Sequence, residues 1–503
     1  MGRVSNSIRN AAAGMILQGI TAILSLVTRS AMIYILGIEA VAINGLFTQV
    51  ISALSMAELG IGGAIIFSLY KPLAEKDYQK INQLVTLFKQ AYTVIAAATI
   101  IIGAALCPWI QYLVNGLDYE VSYLRLVYML FVCQCASSYL FAHKGALLNA
   151  DQQYREVAKV TAVIKVLGTL LQIGIIFITR HYIGYLLTSI GINIATNLFV
   201  SIKTDQLYPF LKTDNGLDRK EKKEVFSNVK NIFFKQLAGK VVDSTDNILI
   251  STLVNTLLVG YYANYVAIME ILKQFAFQLA SGITASLGNL FVSEDKGRCE
   301  EVFLRLVFLF NAMALIMTAC TFGCVQTFIS LWIGNQYLLP EITVFWCCIN
   351  MYSNVAISPL STSMHLIGHF DIGRNISICS AVVNLIVSII LGKIYGMPGI
   401  FIGTFCTYVI EFFAKTHYVY KLFFEKSLMK TLVRGLMSFG SLLVLLVIEH
   451  FLVQRIMIES LIVKFVVIGF MCAFLSMIAI VITWFNTDAL RYWITFGKRF
   501  LKK

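Results

Sequence analysis

The feature that most constrains this sequence is a series of long apolar segments separated by short charged stretches. Of its 503 residues, 58% are hydrophobic and only 13% are charged. A helix needs about 20 mainly apolar residues to cross a bilayer, and we count fourteen segments of this kind. They lie at 9–36, 38–68, 84–107, 119–143, 155–179, 183–203, 232–254, 260–292, 302–325, 340–367, 372–393, 398–420, 430–450 and 460–484. The sequence therefore predicts an all-α, polytopic membrane protein.

Lys and Arg residues are concentrated in alternate loops between these segments. The richest sets lie in the loop over 206–231 and in the tail after residue 484. Because cationic residues accumulate on the cytoplasmic side of membrane proteins, we predict that both termini are cytoplasmic. The formal charge of +13 then comes from inner loops that face anionic lipid, and no nucleic-acid partner is expected.

The eleven cysteines lie mostly inside apolar segments, without His or Asp at the spacing of a zinc site. We therefore expect no metal and no other cofactor. The first apolar run is long enough to span the bilayer, so we interpret it as a retained helix and not as a cleaved signal peptide.

The sequence contains a weak internal repeat. An offset of 218 residues places VAINGLF (41–47) on VGYYANY (259–265) and maps six predicted helices onto six. Six helices per repeat give both halves one orientation, with a site expected between them. The predicted regions are an N-terminal six-helix lobe (1–205), a basic cytoplasmic linker (206–231), a C-terminal six-helix lobe (232–425), and two further helices with a basic tail (426–503).

The apolar segment 232–254 is unusual because it contains several charged residues. A charge that faces lipid at the bilayer centre costs about 2.5 to 3.5 kcal/mol, whereas one Leu or Val returns only about 0.3 to 0.6 kcal/mol. Polar residues recur at helical spacing on one face of this segment and at equivalent positions of the first segment. The two stripes comprise Gln236, Lys240, Asp243 and Asn247, and Gln18, Ser25 and Arg29.

We predict that these two stripes face each other across a hydrated cleft between the lobes. The alternative is that Lys240 and Asp243 neutralise one another inside a dry bundle. The segment 260–292 has a second polar face with Glu270, Lys273 and Gln274. An ion pair within one helix is the simpler interpretation, but two neighbouring segments with polar faces favour a cavity.

Carboxylates inside a transporter can bind a proton or a sodium ion. The candidate coupling groups are Asp243, Asp246 and Glu270. The alternative is that they only neutralise the neighbouring lysines.

Two other features are interpreted as structural. Pro359 lies within the segment 340–367 and predicts a break or kink in that helix. Glu411 and Lys415 are four residues apart and predict an ion pair on one helix.

Several stretches resemble the bacterial polysaccharide-unit flippases, the Wzx-type exporters of the multidrug, oligosaccharidyl-lipid and polysaccharide exporter superfamily. They are AINGLFTQVISALSMAELGIGGAI (42–65), LNADQQYREVAKV (148–160), HYIGYLL (181–187) and VGYYANYVAIMEILKQFAFQLASGITASLGNLF (259–291). The resemblance covers nearly the whole chain with loose motifs. It implies two six-helix lobes that form a V around a central cavity, followed by two extra helices.

The resemblance also implies a function in the bacterial cytoplasmic membrane. Such proteins move an undecaprenyl-pyrophosphate-linked oligosaccharide from the inner to the outer leaflet, for O-antigen, capsule or exopolysaccharide synthesis, beside a polymerase and chain-length machinery. On this basis Arg29, Lys240 and Lys273 are candidate contacts for the pyrophosphate. Tyr261, Tyr262 and Tyr265 are candidate contacts for sugar faces at the outer mouth.

Two other functions stay open at this point. A cation-coupled exporter of drugs or small molecules, from the same superfamily, would also suit the intramembrane carboxylates. A membrane polysaccharide polymerase or ligase is disfavoured, because the predicted outer loops are short and hold no acid, base and nucleophile together. We therefore expect a transporter and not an enzyme.

Overall fold

The computed structural model describes residues 19–55, 61–151, 154–211, 245–293, 296–367 and 370–501. Every regular element within these ranges is helical, which confirms the predicted all-α class. The helices as far as residue 254 are α1 (Gly19–Leu36), α2 (Ile38–Leu54), α3 (Ile61–Glu75), α4 (Tyr78–Leu106), α5 (Val121–Tyr139), α6 (Ala142–Ala150), α7 (Tyr154–Thr179), α8 (Tyr182–Leu207) and α9 (245–254).

The helices that follow begin with α10, which is 38 residues long. They are α10 (Thr256–Ser293), α11 (Lys296–Trp332), α12 (Glu341–Ala356), α13 (Ser358–Ile367), α14 (Phe370–Tyr395), α15 (Met397–Val419), α16 (Met429–Arg455), α17 (Leu461–Thr483) and α18 (Asp488–Leu501). Helix α4 continues as a 3-10 turn to Leu113, and α15 continues as a π-helical turn to Phe424.

Ten helices in the described ranges are long and apolar enough to cross a membrane. They coincide with ten of the fourteen predicted segments, so the protein is a multi-pass membrane protein. Of the other four segments, 38–68 and 232–254 include residues outside the described ranges, and 260–292 lies within α10. The fourth, 340–367, is divided between two helices.

The division of segment 340–367 occurs where Pro359 predicts it. Helix α12 ends at Ala356, Ile357 forms the junction, and Pro359 is the second residue of α13. Proline is tolerated in a first helical turn because the amide it lacks would have no partner there. The predicted break is therefore present, and the proline begins a new helix.

The chain forms two compact units whose boundary lies between Gly260 and Tyr261. We call Ile16–Gly260 the N-terminal unit and Tyr261–Lys503 the C-terminal unit. Helix α9, which was predicted to belong to the C-terminal lobe, is part of the N-terminal unit. The predicted linker at 206–231 lies mostly outside the described ranges, so the predicted lobe boundaries stay a prediction.

Hydrogen bonds beside α9 explain this placement. The amide of Thr256 donates to the carbonyl of Asn115 (2.8 Å), and the amide of Asn115 donates to Thr256 Oγ1 (2.7 Å). Ser251 Oγ donates to the carbonyl of Leu113 and lies 2.7 Å from Thr256 Oγ1. These bonds satisfy backbone groups of the segment after α4, which would otherwise lack partners. They tie the end of α9 to the N-terminal unit.

The tightest helix pair of the C-terminal unit is formed by α14 and α15. A Cβ atom at Gly403 would lie 2.7 Å from the backbone nitrogen of Ser388, so only glycine permits this approach. The Ser388 hydroxyl donates to the carbonyl of Ile400 (3.0 Å), and Asn384 Nδ2 donates to Thr404 Oγ1 (3.2 Å). Small residues and hydrogen bonds between helices hold membrane helices together where the hydrophobic effect cannot.

Glu411 and Lys415 form the predicted ion pair on α15. Side chains of the neighbouring helices α13 and α14 also hydrogen-bond to this pair. Lys415 Nζ lies 2.7 Å from Glu411 Oε2 and 2.9 Å from Ser361 Oγ of α13. Ser380 of α14 donates to the other Glu411 oxygen at 3.5 Å. The side chains of Glu411 and Lys415 are only 16% and 11% exposed, so each charge depends on these partners.

Glu449 of α16 is a buried carboxyl group of a different kind. Its exposure is 0%, and neither of its oxygens has a nitrogen or oxygen hydrogen-bond partner in the described part of the chain. The Cys472 thiol, a weak donor, lies beside it. A carboxylate in such surroundings costs several kcal/mol if it is ionised and unpaired.

Replacement of Gly403 by Ala should lower the apparent melting temperature of the detergent-solubilised protein. The added Cβ overlaps the backbone of Ser388, and such overpacking costs about 1 to 3 kcal/mol. The control is Gly440→Ala on α16, where a Cβ meets no atom within 4 Å among the described residues. Equal melting temperatures for the two variants would contradict this account of the α14–α15 contact.

Neutralisation of Glu411 and of Glu449 should affect the thermal stability of the protein differently. Glu411→Gln leaves the Lys415 charge without its partner, which costs about 3 to 5 kcal/mol, so the apparent melting temperature should fall. Glu449→Gln removes no ion pair of the described residues and replaces an ionisable group by a neutral one, so the melting temperature should stay or rise. Thermal unfolding of both variants in one detergent tests this, and a large loss in Glu449→Gln would overturn it.

Candidate functional site

Several predicted site residues lie outside the described ranges. They are Gln18, Gln236, Lys240 and Asp243. That the two polar stripes face each other across a hydrated cleft therefore stays a prediction. Asn247, the last residue of the stripe that begins at Gln236, and the coupling candidate Asp246 are described on α9, where both are partly buried. Asn247 Nδ2 donates to the carbonyl of Gly45 at 3.3 Å, within the N-terminal unit.

Arg29 is a partly buried cation in α1, one of the helices long and apolar enough to cross a membrane. Its guanidinium lies within electrostatic range of the Tyr185 hydroxyl on α8. The Tyr185 ring stacks on that of Tyr182, with 5.8 Å between centroids and 13° between planes. Ser25, one turn before Arg29, is exposed. Arg29 thus lies within electrostatic range of one ring of a stacked tyrosine pair.

Further polar groups of the N-terminal unit continue from these rings. The Tyr182 hydroxyl donates to Asn44 Oδ1 of α2 (3.0 Å). Ser189, one turn beyond Tyr185, receives a hydrogen bond from Gln172 Nε2 of α7 (2.5 Å). We call this set the Arg29 patch, and its members are Arg29, Asn44, Gln172, Tyr182, Tyr185 and Ser189.

Two more tyrosines lie near the Arg29 patch. Tyr119 and Tyr123 stack with 5.4 Å between centroids and 16° between planes, and both are within electrostatic range of Tyr182. Burial raises the pKa of Tyr119, in the loop before α5, with Tyr123 and Glu39 adding to the effect.

The Arg29 patch combines two kinds of recognition. A guanidinium has five donors in a planar fork that matches the oxygens of a phosphate. Tyrosine offers an apolar ring face together with a hydroxyl, which suits the faces and hydroxyls of sugars. Tyr182 itself is buried (5% exposed) and its hydroxyl is engaged by Asn44, so Arg29 and Tyr185, both partly buried, are the members of the patch with surface to offer a ligand.

The sequence reasoning identified Arg29 but missed the aromatic members of this patch. Tyr182 and Tyr185 stand three residues apart in HYIGYLL, so they lie on one face of α8. That spacing in an apolar helix was the available signal. Gln172 carried no comparable signal, because only the packing of α7 on α8 brings it to Ser189.

In the C-terminal unit, Lys273 and Glu270 form an ion pair within α10. The Lys273 side chain is 19% exposed and that of Glu270 is 48% exposed, while Gln274 is exposed. This is the simpler of the two sequence interpretations. Lys273 nevertheless retains donors that Glu270 does not occupy, since an ammonium group has three.

The three tyrosines proposed as sugar contacts are largely engaged within the C-terminal unit. Tyr265 is 0% exposed, and its hydroxyl donates to Gln326 Oε1 (2.6 Å) and accepts from the amide of Leu339 (3.0 Å). The expectation for Tyr265 is therefore corrected, because its ring has no free face. Tyr261 packs edge-on against Tyr337, and Tyr262 lies 4.9 Å from Phe401 between centroids.

The described residues also bear on metal binding. Within these ranges, no group of three or more His, Cys, Asp or Glu residues is placed to hold a metal ion.

Comparison with known proteins identifies a matching protein family. A family model described as "Polysaccharide biosynthesis protein" matches residues 53–342, which is more than half of the chain. No curated protein sequence gives a significant match.

Solved structures with the same fold include the lipid II flippase MurJ in an inward closed conformation. It has 16% sequence identity and a TM-score of 0.66, and the alignment covers 93% of this chain and 98% of that one. An inward-facing multidrug MATE transporter of the MOP superfamily has 15% identity and a TM-score of 0.60, with coverage of 80% and 95%. A MOP superfamily transporter from Pyrococcus furiosus has 14% identity and a TM-score of 0.57, with coverage of 84% and 96%.

At these sequence identities the solved structures show a shared fold, and the match to the family model shows the family to which the chain belongs. The named structures are a flippase and transporters, in agreement with the many apolar helices found here. The chain therefore belongs to the polysaccharide biosynthesis protein family and has the fold of the MOP superfamily of membrane transporters.

Proposed function

We propose that this protein moves an undecaprenyl-pyrophosphate-linked oligosaccharide from the inner to the outer leaflet of the bacterial cytoplasmic membrane. The product would serve the synthesis of O-antigen, capsule or exopolysaccharide. Three findings support the proposal: the polysaccharide biosynthesis family, the fold shared with a lipid II flippase, and the Arg29 patch. The observation that carries it is a guanidinium beside stacked tyrosines within the membrane-spanning part of the chain.

The cargo explains why such a site is needed. A sugar headgroup with a pyrophosphate cannot cross hydrocarbon unaided, because its hydroxyls and charges would lose water without replacement. A polar cleft between two lobes, open sideways to lipid, would carry the headgroup while the prenyl tail stays in the bilayer. Rocking of the lobes would expose the site to each side in turn.

Within this proposal, Arg29 binds the pyrophosphate and Tyr185 binds a sugar face, while the buried Tyr182 holds the Tyr185 ring in place by stacking. Lys240 and Lys273 are retained as further phosphate contacts. Ser25, one turn from Arg29, and Gln274, one residue from Lys273, are exposed polar residues and are proposed as further headgroup contacts. The other proposed contacts from the two polar stripes are Gln18, Gln236 and Asn247.

Transport against a gradient requires an energy source, and carboxyl groups provide a means of coupling. Asp243, Asp246 and Glu270 are the proposed sites for a proton or a sodium ion. The Glu270 side chain is 48% exposed while it holds Lys273, so the carboxylate is not enclosed by its own unit.

A cation-coupled exporter of drugs or small molecules is the second candidate. The fold shared with multidrug MATE transporters and the same carboxylates favour it. Vesicles that contain the purified protein distinguish the two functions: the proposal expects labelled lipid-linked oligosaccharide to reach the outer leaflet, without movement of a cationic dye. A polymerase or ligase is the third candidate, and polymer formation in the same vesicles would reveal it. A polymerase and chain-length machinery are proposed as partners, not as activities of this chain.

Arg29→Ala should slow the flipping of labelled lipid-linked oligosaccharide in reconstituted vesicles by at least about tenfold. A hydrogen bond to a charged group contributes about 1.5 to 3 kcal/mol, and about 1.4 kcal/mol corresponds to tenfold. Arg29→Lys should recover part of the rate, because it restores the charge without the planar fork. The control, Lys222→Ala in the predicted inner loop, should flip normally. Normal flipping by Arg29→Ala at normal expression would remove Arg29 from the site.

A double variant separates the two possible roles of Glu270. Glu270→Gln should abolish the stimulation of flipping by an imposed proton or sodium gradient. If Glu270 only neutralises Lys273, then Glu270→Gln combined with Lys273→Met should regain that stimulation. We expect the double variant to stay insensitive to the gradient. Recovery of the gradient response would assign Glu270 a purely structural role.

A further inference from the structure

A crevice in the C-terminal unit, outside the proposed transport site, is lined by cations. It has a volume of about 580 Å³ and lies between α11, α16 and the start of α18. Arg305 contributes from α11, and Lys430 and Arg434 contribute from α16. All belong to the end of the helices that the charge pattern predicts to be cytoplasmic.

The carboxylates of the crevice do not cancel these cations. Glu301 also lines the crevice, but it is shared between Arg298 (2.8 Å) and Arg305. Asp488, at the first turn of α18, is the other acidic residue there. Lys430 is exposed and has no ion-pair partner in the described ranges. Its charge is therefore available to a ligand.

The two arginines are held in place by contacts that leave donors available. Arg434 Nη1 donates to the carbonyl of Thr483, the last residue of α17, at 2.6 Å. The Arg305 guanidinium lies 3.9 Å from the centroid of the Tyr492 ring, and its buried Nε has no hydrogen-bond partner among the described residues. Because a guanidinium has five N–H donors, both side chains can still bind an anion. The positive end of the α18 dipole adds to the attraction.

An apolar stripe on α16 begins in this crevice and continues along the span. Met429, Val433 and Met437 recur every four residues, line the crevice and are 61%, 43% and 47% exposed. Trp484 lies beside Arg434 and also lines the crevice, and tryptophan is typical of the membrane–water interface. A soluble anion would need only the cations, whereas a phospholipid would also need a surface for its acyl chain.

We propose that this crevice binds the phosphate of an anionic phospholipid, whose acyl chain lies along Met429, Val433 and Met437. Basic pockets between membrane helices on the cytoplasmic side are suited to such headgroups. The ligand is a resident lipid of the bilayer and not the transported cargo. The bound lipid would anchor α18 and the start of α16 at the membrane surface.

Native mass spectrometry of the full-length protein tests this proposal. The probes are phosphatidylglycerol, phosphatidylcholine with the same acyl chains, and inorganic phosphate. Phosphatidylglycerol should be retained in preference to phosphatidylcholine. Lys430→Ala should weaken the binding of phosphatidylglycerol about fivefold, which corresponds to about 1 kcal/mol for one cation near the surface.

The control is Lys421→Ala, an exposed lysine on the turn after α15 that does not line the crevice. It should bind phosphatidylglycerol like the unmodified protein. Equal retention of the two lipids, or an equal effect of the two lysine variants, would overturn the proposal. Inorganic phosphate that binds as tightly as phosphatidylglycerol would overturn the lipid assignment.

Discussion

A polar group within the hydrocarbon layer has no water to bind, so it must find its partner in the protein. This constraint explains most of the buried polar contacts described here. Lys415 is surrounded by Glu411 and Ser361, and Thr256 bonds to the backbone of Asn115. The same constraint gives meaning to a charge such as Arg29 within a spanning helix. Such a charge is costly, so its presence in a spanning helix points to a function.

In the C-terminal unit, close packing of α14 on α15 provides such partners. Gly403 lets α15 contact the backbone of α14, and hydroxyl and amide groups bond across the contact. Among the described residues, the Arg29 patch places a cation within electrostatic range of a stacked tyrosine pair. A rigid framework around such a patch is what a carrier needs, because the site must keep its geometry while its access changes.

The sequence was sufficient for features that depend on local pattern. Apolar length predicted ten of the spans, Pro359 predicted the division of α12 from α13, and the spacing of Glu411 and Lys415 predicted their pair. It was insufficient where tertiary contacts decide. Tyr265 resembles its partly buried neighbours Tyr261 and Tyr262 in sequence, yet it is fully buried, and its hydroxyl bonds to Gln326 and Leu339. Helix α9 joins the N-terminal unit through bonds to the loop after α4, which no periodicity reveals.

The central claim is that the Arg29 patch contacts the headgroup during transport, and site-specific photocrosslinking tests it most directly. A benzophenone amino acid in place of Tyr185 is compared with one in place of Phe177, an exposed residue of the adjacent helix α7. In vesicles with labelled lipid-linked oligosaccharide, the account predicts a crosslink to the oligosaccharide headgroup from position 185 and none from position 177. The opposite pattern, or no headgroup adduct at position 185 in a variant that still flips, would contradict it.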